Sequence, residues 1–182
     1  KYRKSIEVNL RAVAADANFI ERRGRDNFYT KYRAHNYHFI MTSAMFIGDF
    51  DTAFKAAKDI HSEIPYSLLR TMPEICEAFM SIYIHVLIRF GKWDDIIDDV
   101  IEEDKDLYPS KIAMQHYARS IAFAAKRMVS HAEIEKKKFF EAYERIPETR
   151  KLQNNSVREI LKVAKAMSEG EILYRKGEFE EG

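Results

Sequence analysis

The sequence predicts an all-α fold made of antiparallel helical hairpins. Apolar and small residues recur at helical spacing through Asn36–Ile60, and Gly48-Asp49 divides this stretch into two helices. Glycine can take the left-handed conformation that ends a helix, and aspartate can cap the next one. With 6 glycines and 4 prolines in 182 residues, the chain has few helix breakers. These observations together predict helices joined by short turns.

The turn after the first predicted helix recurs twice. Gly48-Asp49-Phe50 is repeated as Gly91-Lys92-Trp93 and as Gly177-Glu178-Phe179, each a glycine with an aromatic residue two positions later. A run with helical periodicity precedes the two later glycines, at Phe79–Arg89 and Val163–Arg175. Because one hairpin cannot bury its own apolar face, we expect the hairpins to stack in series.

The N-terminal third is predicted to be one helix and a connection. Tyr2–Asp16 has the periodicity of a helix, the back half of a hairpin whose front half is missing, and Ala17–Ala34 has a mixed character. Basic and aromatic residues together can bind nucleic acid. Without a supporting motif or net charge, we favour a loop whose aromatic side chains hold it against neighbouring helices. The residues concerned are Arg22, Arg23, Arg25, Phe28, Tyr29, Lys31, Tyr32 and Arg33.

Further along the chain, Pro65 ends one helix and Pro73 begins the next. The acidic run 94–106 has apolar residues between its carboxylates, which predicts a solvated helix face rather than a cation site. A less regular hairpin is expected in Ser110–Met128 and Ala132–Ile146, with Ser130 in the place of the turn glycine. Ser156 followed by a glutamate at position 159 predicts a helix that begins near residue 157.

Paired helices, a glycine-aromatic turn, an alanine at Ala53 and an exit proline at Pro147 resemble the tetratricopeptide repeat. The resemblance implies a right-handed superhelix of antiparallel helical hairpins, an α-solenoid forming a single domain over residues 1–182 within a longer chain. The spacing from Gly48 to Gly91 to Gly177 exceeds the roughly 34 residues of the standard unit, so long helices and connections are expected. A HEAT-type solenoid is the structural alternative.

The same resemblance implies a function, because tetratricopeptide proteins bind partners in the concave groove lined by the first helix of each hairpin. We therefore expect a scaffold module that binds a protein or peptide. Helical periodicity nominates the groove residues on the side opposite the packing face. They are His35, His38, Thr42, Ser81, His85, Arg89, Tyr117, Ser120, Arg127, Glu171 and Tyr174.

Three of these residues support a second hypothesis, that of a metal- or small-ligand-binding protein that could be an enzyme. His35 and His38 lie one helical turn apart, and His85 comes from the next predicted hairpin. Imidazoles at this spacing can bind a transition metal or an anion. Since the motif holds no carboxylate and is not HExxH, we favour histidines that hydrogen-bond the backbone or contact a peptide. A structural spacer within a larger protein is the third hypothesis.

Composition and the absence of known motifs argue against several other classes of protein. The 30 basic and 29 acidic residues nearly cancel, which disfavours a general nucleic-acid binder, and no apolar run approaches the roughly 20 residues of a membrane span. The single cysteine, Cys76, excludes an internal disulfide and favours a reducing, cytoplasmic compartment. No phosphate loop, nucleophile elbow or CxxC motif is present, so we expect neither catalysis nor a cofactor in this segment.

Overall fold

The computed structural model describes residues 1–27 and 29–182, and most of these residues are helical, which confirms the all-α class. The chain divides into two compact units, Lys1–Val86 and Leu87–Gly182. The first unit contains α1 (Tyr2–Arg23), α2 (Thr30–Ile47), α3 (Phe50–Glu63), α4 (Tyr66–Thr71), α5 (Pro73–Cys76), a 3-10 segment (Glu77–Ser81) and the start of α6 (Ile82–Arg89). The second contains the end of α6, α7 (Trp93–Asp98), α8 (Pro109–Ala125), α9 (Val129–Glu144), β1 (Lys151–Leu152), β2 (Asn155–Ser156) and α10 (Val157–Lys176).

The predicted hairpin of α2 and α3 is confirmed, together with its turn. Gly48 is left-handed, with φ 75° and ψ 21°, and the N–H of Asp49 donates to the carbonyl of Ala44 at 3.0 Å. The Asp49 carboxylate then accepts the N–H of Thr52 at 3.1 Å and the Thr52 hydroxyl at 2.7 Å. These hydrogen bonds hold the pKa of Asp49 below its ordinary value. Glycine thus ends the first helix and aspartate caps the second.

The prediction of a non-helical connection over residues 17–34 is wrong for most of that range. α1 continues to Arg23 and α2 begins at Thr30, so the non-helical stretch is short. The first strong breaker is Gly24, which has φ 71° at the end of α1. The two helices then pack along each other, and the Ser43 hydroxyl donates to Ser5 at 2.9 Å. Phe28, included in the predicted basic and aromatic stretch, lies outside the described residues.

A buried ion pair joins the beginning of α2 to the end of α3. The Arg33 Nε lies 3.0 Å from Glu63 Oε2, and the two side chains are 1% and 8% exposed. Arg33 also donates to the Thr30 hydroxyl at 3.0 Å, and Arg25 Nε lies 3.4 Å from the same Glu63 oxygen. Because buried charges are unfavourable without partners, this network fixes the positions of both helix ends relative to each other.

Two stretches are less helical than their periodicity predicts. The run 79–89 starts in the 3-10 segment and becomes α-helical only at Ile82, and the acidic run is helical only in α7. After α7, the Gln115 amide on α8 donates to the Val100 carbonyl at 2.7 Å and its oxygen accepts the N–H of Glu102 at 3.0 Å. This side chain satisfies backbone groups that a longer helix would have paired with each other. The acidic residues after α7 therefore lie in an ordered loop.

The predicted hairpin of α8 and α9 is confirmed, although its turn is displaced. The left-handed residue is Arg127, with φ 61°, rather than the predicted Ser130. α10 packs on both helices. The buried Ser120 hydroxyl bridges all three, since it lies 2.8 Å from the Ser168 hydroxyl and donates to the Ala132 carbonyl at 3.1 Å. Small residues at these positions let the helices approach closely.

The other predicted turns and starts agree with the structure in part. Gly91 and Gly177 both have positive φ, and α10 begins at Val157 as expected, but Ser156 makes no side-chain cap hydrogen bond. Lys151–Leu152 and Asn155–Ser156 form a two-residue antiparallel ladder that the sequence did not indicate. Among the helices of residues 1–27 and 29–182, none is both long and apolar enough to cross a membrane. The superhelical arrangement stays a prediction.

We expect Glu63→Gln to lower the free energy of unfolding by about 3 kcal/mol, because it leaves the buried Arg33 guanidinium without its carboxylate. Urea denaturation followed by far-UV circular dichroism measures the change. The matched control is Glu169→Gln, the same substitution at an exposed position of α10. Equal urea midpoints for Glu63→Gln and Glu169→Gln would contradict a role for the ion pair. Partial recovery of the lost stability in the apolar double variant Arg33→Met, Glu63→Leu would support it.

Candidate functional site

The structure brings the three predicted histidines of the first unit close enough to influence one another electrostatically. His35 and His38 lie on α2, and His85 lies on α6. Burial lowers the pKa of His85 to about 4, and repulsion from His38 adds to this effect. Burial and repulsion from His35 likewise lower the pKa of His38. At neutral pH His38 and His85 are therefore uncharged.

Ring contacts fix two of these imidazoles. His38 meets Phe79 edge-on with ring centroids 6.5 Å apart, and His35 meets Phe39 edge-on at 4.6 Å. Within the described part of the chain, no three His, Cys, Asp or Glu side chains are grouped so that they could hold a metal ion. The histidines are placed as packing and contact residues around α2.

The most prominent exposed feature of the first unit is an aromatic row on α2. Tyr32, Phe39 and Phe46 follow one another at intervals of seven residues, so they share one side of the helix. They are 50%, 47% and 62% exposed. Two predicted groove residues, His35 and Thr42, fall between them at the alternating spacing of three and four residues and belong to the same side of α2.

α1 and the residue before α2 extend this row at both ends. Tyr2 stacks on Phe46 with centroids 4.7 Å apart and rings nearly parallel. At the opposite end, Tyr29 packs against Phe19 at 4.9 Å and against Tyr32 at 5.6 Å. We call the exposed aromatic residues of this surface the aromatic face; they are Tyr2, Phe19, Tyr29, Tyr32, Phe39 and Phe46.

The aromatic face is large for an exposed surface. Taking about 200 Å² for each aromatic side chain and roughly half exposure, its six members expose on the order of 500 Å². The largest apolar patch of a monomer is about 300–600 Å² and is often functional. The face thus lies in the upper part of that range and is assembled from consecutive helices.

Polar contacts beneath the aromatic face hold its members in place. The Tyr29 hydroxyl donates to Asp16 Oδ1 at 3.0 Å, and this hydrogen bond to a carboxylate raises the pKa of the phenol. The Asn36 amide donates to the other oxygen of Asp16 at 3.4 Å. Asp16 is the one buried residue of α1. Its carboxylate therefore joins α1 both to the residue before α2 and to the second turn of α2.

A cleft on another side of α2 is too small to compete as a site. It has a volume of about 230 Å³ and lies between α1, α2 and α3, whereas ligand pockets usually measure about 300–1,000 Å³. An ion pair between Lys55 and Asp59, 2.7 Å long, stands at its rim. The lining residues are Leu10, Tyr37, Ile40, Thr52, Lys55, Ala56 and Asp59.

The other predicted groove residues are scattered between interior and surface. Ser81, Tyr117 and Ser120 are buried, at 4%, 5% and 0% exposure, and so contribute to packing rather than to an exposed surface. Arg127 occupies the left-handed turn after α8 instead of a helix face. Of the remaining three, Arg89 is exposed at the end of α6, Glu171 pairs with Arg175 at 2.7 Å, and Tyr174 is exposed against Phe179.

The aromatic face was missed at the sequence level, although its signal was present. Aromatic residues at positions 32, 39 and 46 form a seven-residue repeat, the spacing of a helix-to-helix contact. Comparisons with protein-family models, curated proteins and solved structures gave no match for this chain. The fold and the exposed face define it as an all-α helical protein with an exposed aromatic surface on α1 and α2.

Acid is expected to destabilise the protein through His85. Its pKa is about 4 in the folded state and about 6.5 when unfolded, so the unfolded chain binds more protons between these values. The free energy of unfolding should fall as the pH falls from about 6.5 towards about 4, by on the order of 1 kcal/mol per pH unit for this group. It should be independent of this group above about pH 7.

Urea denaturation of the wild type and His85→Gln at several pH values measures this effect. The wild type should lose more stability than the variant on acidification, because only the wild type carries this imidazole, whose pKa is lowered by folding. His131→Gln serves as the control, since His131 is exposed on α9. If wild type and His85→Gln share the same pH slope, His85 does not contribute as described.

Proposed function

We propose that this chain is a protein-binding scaffold module whose aromatic face receives a helix of a partner protein. The observation that carries the proposal is the row of Tyr32, Phe39 and Phe46 on the exposed side of α2. Aromatic side chains supply much of the binding energy of protein interfaces, particularly where they cluster. A partner helix is the occupant that a seven-residue spacing fits best.

The composition of α2 supports the same conclusion. Its inward sides bury Ile40, Met41 and Ala44, while its outward side carries aromatic residues and no acidic residue lies anywhere in Thr30–Ile47. A helix that is apolar on all sides is normally covered on all sides. The uncovered side of α2 is therefore suited to a contact with another chain.

The dimensions suit a short helix. Tyr32 and Phe46 are fourteen residues apart, which corresponds to about 21 Å along α2. A partner helix of about four turns covers that distance. Since α2 is held from behind by the Arg33–Glu63 pair and by α1, its exposed side is a rigid surface that loses little conformational entropy on binding.

The groove of the predicted solenoid is compatible with this assignment, because His35 and Thr42 share the side of α2 that carries the aromatic row. In this proposal the histidines border the partner helix and bind no metal, and the module has no catalytic role. The hypothesis of a structural spacer also requires no catalysis, but it gives the aromatic face no ligand to bind.

The test uses a fluorescein-labelled amphipathic peptide of about 18 residues with leucine at the a and d positions of each heptad. We expect fluorescence anisotropy to detect saturable binding and Phe39→Ala to weaken it about tenfold, as for a central aromatic contact. The matched control is Tyr66→Ala, which changes an aromatic residue on α4 outside the aromatic face; Tyr66 is 59% exposed and Phe39 47%.

Circular dichroism should give the same helix content and unfolding midpoint for the two variants, since both side chains are exposed. Binding that Phe39→Ala and Tyr66→Ala weaken equally would reject the aromatic face as the site. Absence of saturable binding by the wild type would reject the proposed function and favour the spacer.

A further inference from the structure

We infer that the helix received by the aromatic face is α2 of a second copy of this chain, so that two chains form a two-fold symmetric dimer; this inference rests on the proposed function. Its basis is the symmetry of the aromatic row. Phe39 stands seven residues after Tyr32 and seven residues before Phe46, and all three side chains are exposed. A row that is symmetric about its middle residue is complementary to its own reverse.

An antiparallel pair of α2 helices uses this symmetry. A two-fold axis at Phe39, perpendicular to the helices, places Phe39 opposite its own copy and Tyr32 opposite Phe46 of the second copy. Seven residues are almost two helical turns, so the three side chains stay on one side of each helix. Each aromatic ring of the row therefore meets another aromatic ring, a contact that aromatic side chains favour in offset or edge-on geometry.

α1 continues the match beyond α2. It supplies Tyr2, stacked on Phe46, at one end of the aromatic face, and Phe19, packed against Tyr29, at the other end. The two-fold axis brings each of these ends opposite the other. Aromatic groups therefore oppose aromatic groups along the whole face, and every contact is made twice, as an isologous interface requires.

The charges on α1 and around it favour the antiparallel direction. Residues 1–11, at the Tyr2 end, contain four basic residues and one acidic residue, and Asp49 is near enough to Arg3 to offset part of that charge. Residues 19–31, at the opposite end, contain four basic and two acidic residues, and Arg25 among them is paired with Glu63. An antiparallel pair places the more basic end of one copy beside the more balanced end of the other, whereas a parallel pair would join two basic ends.

The area of the aromatic face reaches the lower limit for a specific dimer. Each copy exposes on the order of 500 Å² of aromatic surface, so two copies bury on the order of 1,000 Å² in total. A specific interface should exceed about 1,000 Å², and interfaces near this limit are weak. Since α2 is already folded, pairing orders little further chain, and we expect a dissociation constant in the micromolar range.

Sedimentation velocity of the full chain between about 1 and about 200 μM tests for the dimer. We expect a reversible equilibrium between monomer and dimer. Phe39→Ala should raise the dissociation constant at least about tenfold, because it removes a ring from both sides of the axis. Tyr66→Ala, outside the aromatic face, is the matched control and should leave the equilibrium unchanged. Equal effects of the two substitutions would overturn the inference.

The two-fold symmetry is tested at Phe39 itself. Phe39→Glu and Phe39→Arg should each be monomeric, because the axis places two like charges opposite each other, whereas an equimolar mixture should associate through opposite charges. Tyr66→Glu is the control and should form the dimer alone. A mixture that stays monomeric, or wild-type species larger than a dimer, would overturn the two-fold arrangement.

Cross-linking with a short bifunctional maleimide tests the direction of the helices. Tyr32→Cys mixed with Phe46→Cys should give a cross-link between the two variants, while neither should cross-link to itself. The native Cys76 is buried and does not compete. Self-cross-linking of Tyr32→Cys would overturn the antiparallel pairing.

The remaining outcomes separate this inference from the proposed function. Absence of a dimer, together with peptide binding that Phe39→Ala weakens, would overturn the second copy as the occupant and keep the proposed function. Absence of both the dimer and peptide binding would overturn both proposals. If both occur, the unlabelled amphipathic peptide should dissociate the dimer, and a dimer that persists at saturating peptide would overturn the inference.

Discussion

The buried pair of Arg33 and Glu63 is the constraint on which the first unit depends. It joins the start of α2 to the end of α3, and Thr30 and Arg25 add contacts to the same two side chains. A buried ion pair adds little stability over an apolar pair of equal size, but a shift that separated the partners would leave a charge buried without compensation. The pair therefore selects one register of α2 on α3 and, with it, the side of α2 that faces outward.

That selection explains why the exposed side of α2 is ordered as well as apolar. α1 is attached through Asp16 and through the stacking of Tyr2 on Phe46, so the aromatic face is supported from two helices. His38 on α2 and His85 on α6 are uncharged at neutral pH, so they add no positive charge to this part of the structure. An apolar surface supported from two helices is suited to receiving a partner helix by its shape.

The sequence predicted local features of the fold better than features of the site. Gly48 and Asp49 act as predicted because a left-handed glycine and a capping carboxylate function within a few residues of chain. The continuation of α1 to Arg23 was missed because its basic and aromatic residues carry no clear helical period. Ser120 was predicted at a groove and is buried, since helical spacing gives the side of a helix but not what covers that side.

By itself, the sequence determined the all-α class, the α2–α3 and α8–α9 hairpins and the absence of an internal disulfide, because these depend on local propensity, on turn residues and on a single cysteine. Only the tertiary structure decided that Gln115 ends the helical part of the acidic run, that Arg127 rather than Ser130 makes the turn, and that six aromatic side chains stay exposed together. These outcomes depend on contacts between residues far apart in the chain, and periodicity along one segment contains no information about its neighbours in space.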